Sequence, residues 1–447
     1  MVEQEVKSDE FRKIFYYAKS IGFSDVEFKI ATSNKLSISV FQHKVENYSV
    51  AENETIYIRG IVNGNMVSGT TENKNTICKI LDQMAENATL IDEKKEQEIF
   101  GGSGKYKHFK TYNDALEKMP VSEKIDLCLQ VEEKAYAYDS KIFNPGVEVE
   151  YSESVTAVKI VNTKGLKLSH KVNHGVLVVS VVAKSEKDTR TAYKFKISQD
   201  GKFDVDAIVK EACDDAINAL DGTQCDSKKY KVLLAPNVFA SFANVLLGSV
   251  SGEAVNKGRS LLKDKLNQSI ASSKLTITEN PHNKQYPYFC RAFDDEGVAT
   301  IKKDIVEKGV LKTFLYNIEE AKQAKVESTG NGYGGSNIGI STAFVEVKPG
   351  KKSKEELCEK IGNGIQITSV QGLHAGMNPL SGDFSLQASG YRIEDGKITT
   401  PVNLITIAGN IFKMFNDIAE VGGDVYVTPS GISTPSVVIK SLAISGK

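Results

Sequence analysis

Lys231-Val232-Leu233-Leu234-Ala235-Pro236 is the stretch whose reading decides the fold. A short apolar run without polar alternation reads as a strand buried on both faces. Pro236, which lacks an N–H and has a fixed φ, suits the first turn of a helix. That helix is predicted to run from Val238 to Leu262. Beyond it come short strands parted by glycine turns, with helical periodicity only around Lys354 to Ile361 and Ile411 to Ile418. Residues 227–447 therefore read as a large β-rich domain that carries one apolar helix near its start.

Upstream, the period of the apolar residues switches between helix and strand. In residues 1–110, Phe11, Ile14, Phe15 and Ala18 fall at helical spacing after Ser8 and Asp9, two candidate caps. Strands are predicted at Val26 to Ile30, Leu36 to Phe41, Thr55 to Ile61 and Met66 to Thr70, with turns at Asn34, Asn53 and Asn63-Gly64-Asn65. A helix from Thr76 to Ala88 closes the unit. Leu90 to Pro120, with Gly101-Gly102-Ser103-Gly104, reads as a linker; it lacks the Lys-Ser/Thr pair of a phosphate-binding loop.

Residues 111–226 repeat the pattern. A helix from Val121 to Ala137 precedes strands Val147 to Val161, Leu166 to His170 and Val176 to Ala183, with turns at Thr163-Lys164-Gly165 and Asn173-His174-Gly175. A helix from Val205 to Leu220 ends it. The fold class is α+β: N-terminal α/β segments with antiparallel sheets and flanking helices, followed by the β-rich domain. His170 and His174 stand four apart, a spacing that converges on a metal from a helix but not from a strand and turn, so an exposed hairpin pair is expected.

The bulk properties remove some function classes. The 447 residues are 40% hydrophobic and 25% charged, with a formal charge of -1, so no net basic field draws the chain to nucleic acid. Met1-Val2-Glu3-Gln4-Glu5 lacks the basic and apolar regions of a secretory signal, and no apolar run reaches membrane-spanning length, so a cytoplasmic location is expected and no membrane partner. Six dispersed cysteines with no C-x-x-C pair are expected to stay reduced. No Gly-x-Ser-x-Gly elbow marks a serine hydrolase.

Inside the predicted helix runs Ser251-Gly252-Glu253-Ala254-Val255-Asn256-Lys257-Gly258. Downstream come Arg291-Ala292-Phe293-Asp294-Asp295-Glu296-Gly297, Glu307-Lys308-Gly309-Val310-Leu311, Ser328-Thr329-Gly330-Asn331-Gly332, the loop Gly372 to Ser385, Ile393-Glu394-Asp395-Gly396-Lys397-Ile398 and Ile405-Thr406-Ile407-Ala408-Gly409-Asn410. In this order the runs resemble the TldD/PmbA family. The resemblance implies that catalytic members carry His-Glu-x-x-x-His where this chain has Gly252, Glu253 and Lys257, with a late cysteine as third zinc ligand. No cysteine follows Cys358 here. Glycine offers no ligand and an ammonium repels the cation.

The chain is thus similar to the PmbA type, also called TldE: a subunit of a peptide-processing metalloprotease, with no zinc of its own and zinc expected on a TldD-type partner. That partner is either a paralogue or a second copy of this chain, and the substrate a peptide. The alternatives are a regulatory binding protein, after the family's older description as modulators of DNA gyrase, or an independent hydrolase using Glu253 as its base. Glu253 is the catalytic candidate, and its other reading is a solvated helix carboxylate. His374, Asn378 and Asp383, in a glycine-flanked loop, and Asn331, in a glycine-rich stretch, are candidates for binding peptide. The same loops also read as plain turns between strands.

Overall fold

The computed structural model describes residues 8–91 and 97–447, so the expectation placed on Met1 to Glu5 lies outside the described residues. Its N-terminal part is one antiparallel sheet of six strands: β1 (Phe23–Phe41), β2 (Lys44–Val62), β3 (Asn65–Thr71), β4 (Ile142–Asn162), β5 (Lys167–Lys184) and β6 (Thr189–Ser198), in the order β3-β2-β1-β4-β5-β6. The β1–β4 pairing, from Glu27↔Asn162 to Phe41↔Glu148, joins the first segment to the second within this sheet. The helices are α1 (Ser8–Ser20), α2 (Ile77–Ala88), α3 (Asp114–Lys118), α4 (Val121–Tyr136) and α5 (Val205–Asn218). The side chains of Ser8 and Asp9, the candidate caps, lie outside the described set.

Strand alternation explains the layering. Val26 and Phe28 of β1 pack with Ile56, Ile58, Leu81 and Met84 under α1 and α2. Leu36, Ile38 and Val40, of the same parity, pack with Val149, Tyr151, Leu177, Cys128 and Cys213 under α4 and α5. One face of the sheet therefore takes four helices, and the other is free to meet the rest of the molecule.

Several turn expectations give way to longer strands. Asn34 pairs with Glu52 and Asn53 with Ser33, inside the ladder. The turn is instead Gln42-His43, both at positive φ (53 and 57), the geometry a two-residue hairpin requires. Asn173 is fully buried within β5, where its side chain both accepts from and donates to the Asn113 backbone. His170 and His174 are accordingly half-buried strand residues, not an exposed hairpin pair. Strand β6 has no counterpart among the predicted elements. The supposed linker, from residue 97 onward, is irregular only as far as the unpredicted short helix α3, and it is anchored: Ile99 is fully buried, and Tyr106 Oη donates to the Gly297 carbonyl at 2.8 Å.

The C-terminal part holds two further six-stranded sheets. Its elements are β7 (Lys228–Leu234), α6 (Pro236–Ser249), α7 (Gly252–Asn256), β8 (Ile277–Glu279), β9 (Lys303–Glu307), β10 (Val310–Leu311), α8 (Ile318–Ala324), β11 (Gly332–Gly334), β12 (Ile338–Ile340), β13 (Val345–Val347), α9 (Lys354–Ile361), β14 (Gly364–Gln371), α10 (Leu373–Gly376), β15 (Asp383–Glu394), β16 (Lys397–Asn410), α11 (Ile411–Asn416), β17 (Ile418–Val421), β18 (Tyr426–Val427), β19 (Ile432–Thr434) and β20 (Val437–Ser445). Strands β16-β15-β14-β7-β20 close on themselves, because Thr406–Ala408 of β16 also pairs with Ser445–Ala443 of β20. The second sheet runs β10-β9-β8-β13-β19-β18.

Helix α6 belongs to the core these sheets share. Its Phe239, Phe242 and Leu246 are buried with Ile365, Ile367, Ile407 and Ile439 of the closed sheet and with Ile277, Ile305 and Val345 of the other. The long helix predicted to reach Leu262 stops at Ser249. There the backbone finds outside partners: Leu315 N donates to Val250 O at 3.0 Å, and Gly252 N to Leu315 O at 2.7 Å. The helix resumes only as the short α7.

Candidate functional site

The break after α6 determines what position 252 can be. Ser251 bridges Leu315, which clamps the start of α7 against the Phe314–Tyr316 segment. A Cβ on Gly252 would lie 2.2 Å from Cδ1 of Tyr316 and 2.9 Å from the Leu315 carbonyl oxygen. No carbon fits at that distance, so this packing admits glycine and excludes an imidazole. Asn256 fixes the other end of α7 by donating to the Glu320 carbonyl at 2.9 Å and its carboxylate at 2.7 Å, both on α8.

Glu253 is half-buried on α7, and its Oε1 receives Lys257 Nζ at 2.8 Å and Arg259 Nη2 at 3.0 Å. The hydrogen bond from Lys257, ahead of the charge of Arg259, holds this carboxyl below the usual carboxylate range. A general base needs basicity and a free lone pair directed at substrate. Two cations on one oxygen reduce both. Zinc does not fit here either: the residues at 252, 253 and 257 bring one carboxylate, already claimed, and an ammonium. Among the described residues no group of three His, Cys, Asp or Glu side chains is gathered to hold a metal.

The remaining candidates fall in two other places. Asn378 Oδ1 accepts from the Leu380 and Ser381 amides at 2.9 and 3.2 Å, and its own N–H donates to the Asp383 carbonyl at 2.8 Å. Asp383 takes bonds from Asn410 Nδ2 and Ser381 Oγ, and these, Asn410 first, lower its pKa. The loop thus brings Asn378 and Asp383 together as the frame of a turn, with His374 exposed on its rim. Asn331 is fully buried far along the chain. Its Nδ2 donates to both oxygens of Glu279, at 3.0 and 2.9 Å, and Glu279 pairs with Lys303 at 2.7 Å. That is an internal network with no atom offered to a ligand.

Sequence reasoning assigned no role to a buried cluster of charges between the two halves. Where the free face of the N-terminal sheet meets the C-terminal part, Arg59 is buried between Glu27 at 2.6 Å and Glu296 at 3.1 Å. Asn162 donates to Glu27, and Glu296 also accepts the Ile318 amide. Asp294, fully buried, accepts the amides of Glu296, Val298 and Gly332. Burial, then the charge of Glu296, raises the Asp294 pKa well above normal. Lys29 meets Asp295 at 2.7 Å. The run Arg291 to Gly297 is thus the seam between the two halves. Nothing in the strand pattern of β1 and β2 distinguishes Glu27 or Arg59 from the exposed charges around them.

Domains described as PmbA/TldA metallopeptidase domain 1, central domain and C-terminal domain match residues 26–88, 114–220 and 227–446. This chain belongs to the PmbA/TldD family. It is 26% identical over 437 residues to a metalloprotease PmbA homologue of Buchnera aphidicola, covering 96% of this chain and 94% of that one. It is 29% identical over 329 residues to metalloprotease PmbA of Escherichia coli O157:H7, covering 73% and 70%. A Thermotoga maritima structure, described as a proposed modulator of a DNA gyrase, superimposes with a TM-score of 0.88 at 31% identity, over 98% of this chain and 100% of that one. The fold is also that of TldE from Thermococcus kodakarensis, with a TM-score of 0.90 at 22% identity and the same coverage. As a PmbA/TldD-family protein the chain is metalloprotease-related. Among its described residues no helix is long and apolar enough to cross a membrane.

Proposed function

We propose that this PmbA/TldD-family chain is the non-catalytic subunit of a peptide-processing metalloprotease, acting with a TldD-type partner that carries the zinc. One observation supports this most directly: Tyr316 fills the space a side chain at position 252 would need. A histidine at this position would need Tyr316 to move as well, so the packing of α7, and not position 252 alone, supports a chain without that ligand. Zinc hydrolysis needs protein ligands, an open coordination position and a carboxylate base. Here Glu253 is held by Lys257 and Arg259, so even the surviving carboxylate serves the helix.

The test is the metal content and peptide-cleaving activity of the purified chain, measured alone and after mixing with a TldD-type relative bearing both histidines. Zinc confined to the relative, with cleavage that depends on it, is the expected result. Stoichiometric zinc on this chain alone, or cleavage by it that disappears in Glu253→Ala, would sink the reading.

A further inference from the structure

Residues 107–112 form a strap whose two ends are tied down and whose middle stands over a cavity of about 290 Å³. At one end Tyr106 bonds Gly297, and Lys107 Nζ lies 2.9 Å from Nδ1 of His282. At the other, Thr111 is buried, with its Oγ1 donating to the Lys171 carbonyl and its own carbonyl accepting Gln199 Nε2 at 2.8 Å. The cavity lies between this strap, Ser169, His170 and Lys171 of β5, and Ala292 of the seam. It therefore spans both halves of the molecule.

Its lining is one-signed. Lys107, Lys110 and Lys171 border it, and no carboxylate does. Among the described residues none of the three makes an ion pair. The group beside Lys107 is an imidazole and not a carboxylate; burial and then Lys107 itself lower the His282 pKa. Asp114, near Lys110, is engaged by Lys118, and Glu117 by the Tyr112 hydroxyl. Lys171 is held with its Nζ 3.7 Å from the centre of the Tyr112 ring, which orders the ammonium without cancelling its charge. Phe109, stacked on His282 with ring centres 5.2 Å apart, adds an apolar wall. A concave site bordered by lysines without carboxylate partners and by an aromatic wall fits a small anion attached to an apolar body.

We propose that this cavity binds a carboxylate of a peptide, with Lys110 and Lys171 as its cationic contacts. The choice of a peptide over another carboxylate bearer rests on the peptide-processing role proposed above. Two sources share this chemistry, a free C-terminus and an acidic side chain. The probes are N-terminally labelled hexapeptides ending in Phe-Gln, as the free acid and as the amide, together with Phe-Glu amide, titrated by fluorescence anisotropy against the full chain without any partner. Either carboxylate-bearing peptide is expected to bind at least tenfold more tightly than Phe-Gln amide; the better of the two identifies the source.

The Lys110→Glu/Lys171→Glu variant changes exposed side chains and is expected to lose that tenfold, while Lys13→Glu on α1 keeps it. Equal binding of all three peptides, indifference to the double substitution, or binding of inorganic phosphate with no carboxylate peptide bound would overturn the proposal. Because no metal, cleavage or partner enters this measurement, its failure is separate from failure of the subunit reading.

Discussion

Gly252 shows how much one absent side chain can decide. Adding even a methyl group brings carbon within 2.2 Å of Tyr316. Gly252→Ala is therefore expected to cost about 1–3 kcal/mol, the usual range for overpacking, read as a lower urea midpoint. Combining it with Tyr316→Ala should add less destabilisation than the two single changes together, because the clash is then removed. Glu253→Ala, in an i,i+4 pair at the surface, is expected to change stability by no more than about 0.5 kcal/mol. That positions 252 and 257 carry a glycine and a lysine, neither a zinc ligand, is legible in the sequence. That Tyr316 packs against the first is not, since nothing local ties two positions so far apart in the chain.

His170 gives a prediction of pH dependence. Burial, then the charge of Arg291, pushes its pKa down to about 3 from an ordinary value of 6.5. The folded state thus favours the neutral ring. Its stabilising contribution is complete above pH 6.5 and is lost as the pH falls toward 3, at up to about 1.4 kcal/mol per pH unit. His174 is shifted in the same direction by burial. Chemical denaturation of His170→Gln between pH 7 and pH 4 should show a shallower decline than the parent chain; an identical slope would refute this assignment.

At the scale of elements, periodicity located the helices better than the strands. α9 (Lys354–Ile361) falls where it was predicted, and α2, α4 and α5 agree to within a residue or two. The errors share one cause. Asn34, Asn53 and Asn173 read as turn residues because asparagine favours turns, yet each sits in a strand whose ladder or side-chain partners satisfy it. The end of α6 was missed for a related reason: Leu315, distant in sequence, takes over the backbone bonds that would have continued the helix.

The ion cluster at the seam was invisible for the same reason and carries its own prediction. Arg59→Leu leaves Glu27 and Glu296 buried without their cation and is expected to cost about 3–5 kcal/mol. Replacing both acids as well, as Glu27→Gln and Glu296→Gln, should recover part of that loss. Equal stability of the single and triple variants would show that the charges do not couple.

For the whole molecule, the family and the α+β class were readable from co-linear motifs and from the change of period. The union of the halves was not. Arg59 and Lys29 of the N-terminal sheet, with Tyr106 and Lys107 at the start of the strap, link the N-terminal sheet to the C-terminal domain through Glu296, Asp295, Gly297 and His282. Thermal unfolding followed by calorimetry should therefore give one transition in the parent chain. Arg59→Leu is expected to divide or broaden it. Two separate transitions in the parent would mean that the seam contributes little cooperativity.

The β1–β4 pairing also constrains how the protein is made. Phe41 ends β1, yet Ile142, the first residue of the strand that must lie beside it, leaves the ribosome only after the whole intervening stretch has been synthesised. Until then the nascent chain exposes a long, unpaired strand border with apolar side chains on one surface, a template for joining a neighbouring polysome product. Slow translation between these points would favour capture by a holdase, and codon changes that shorten the delay should raise the soluble yield without altering a single amino acid.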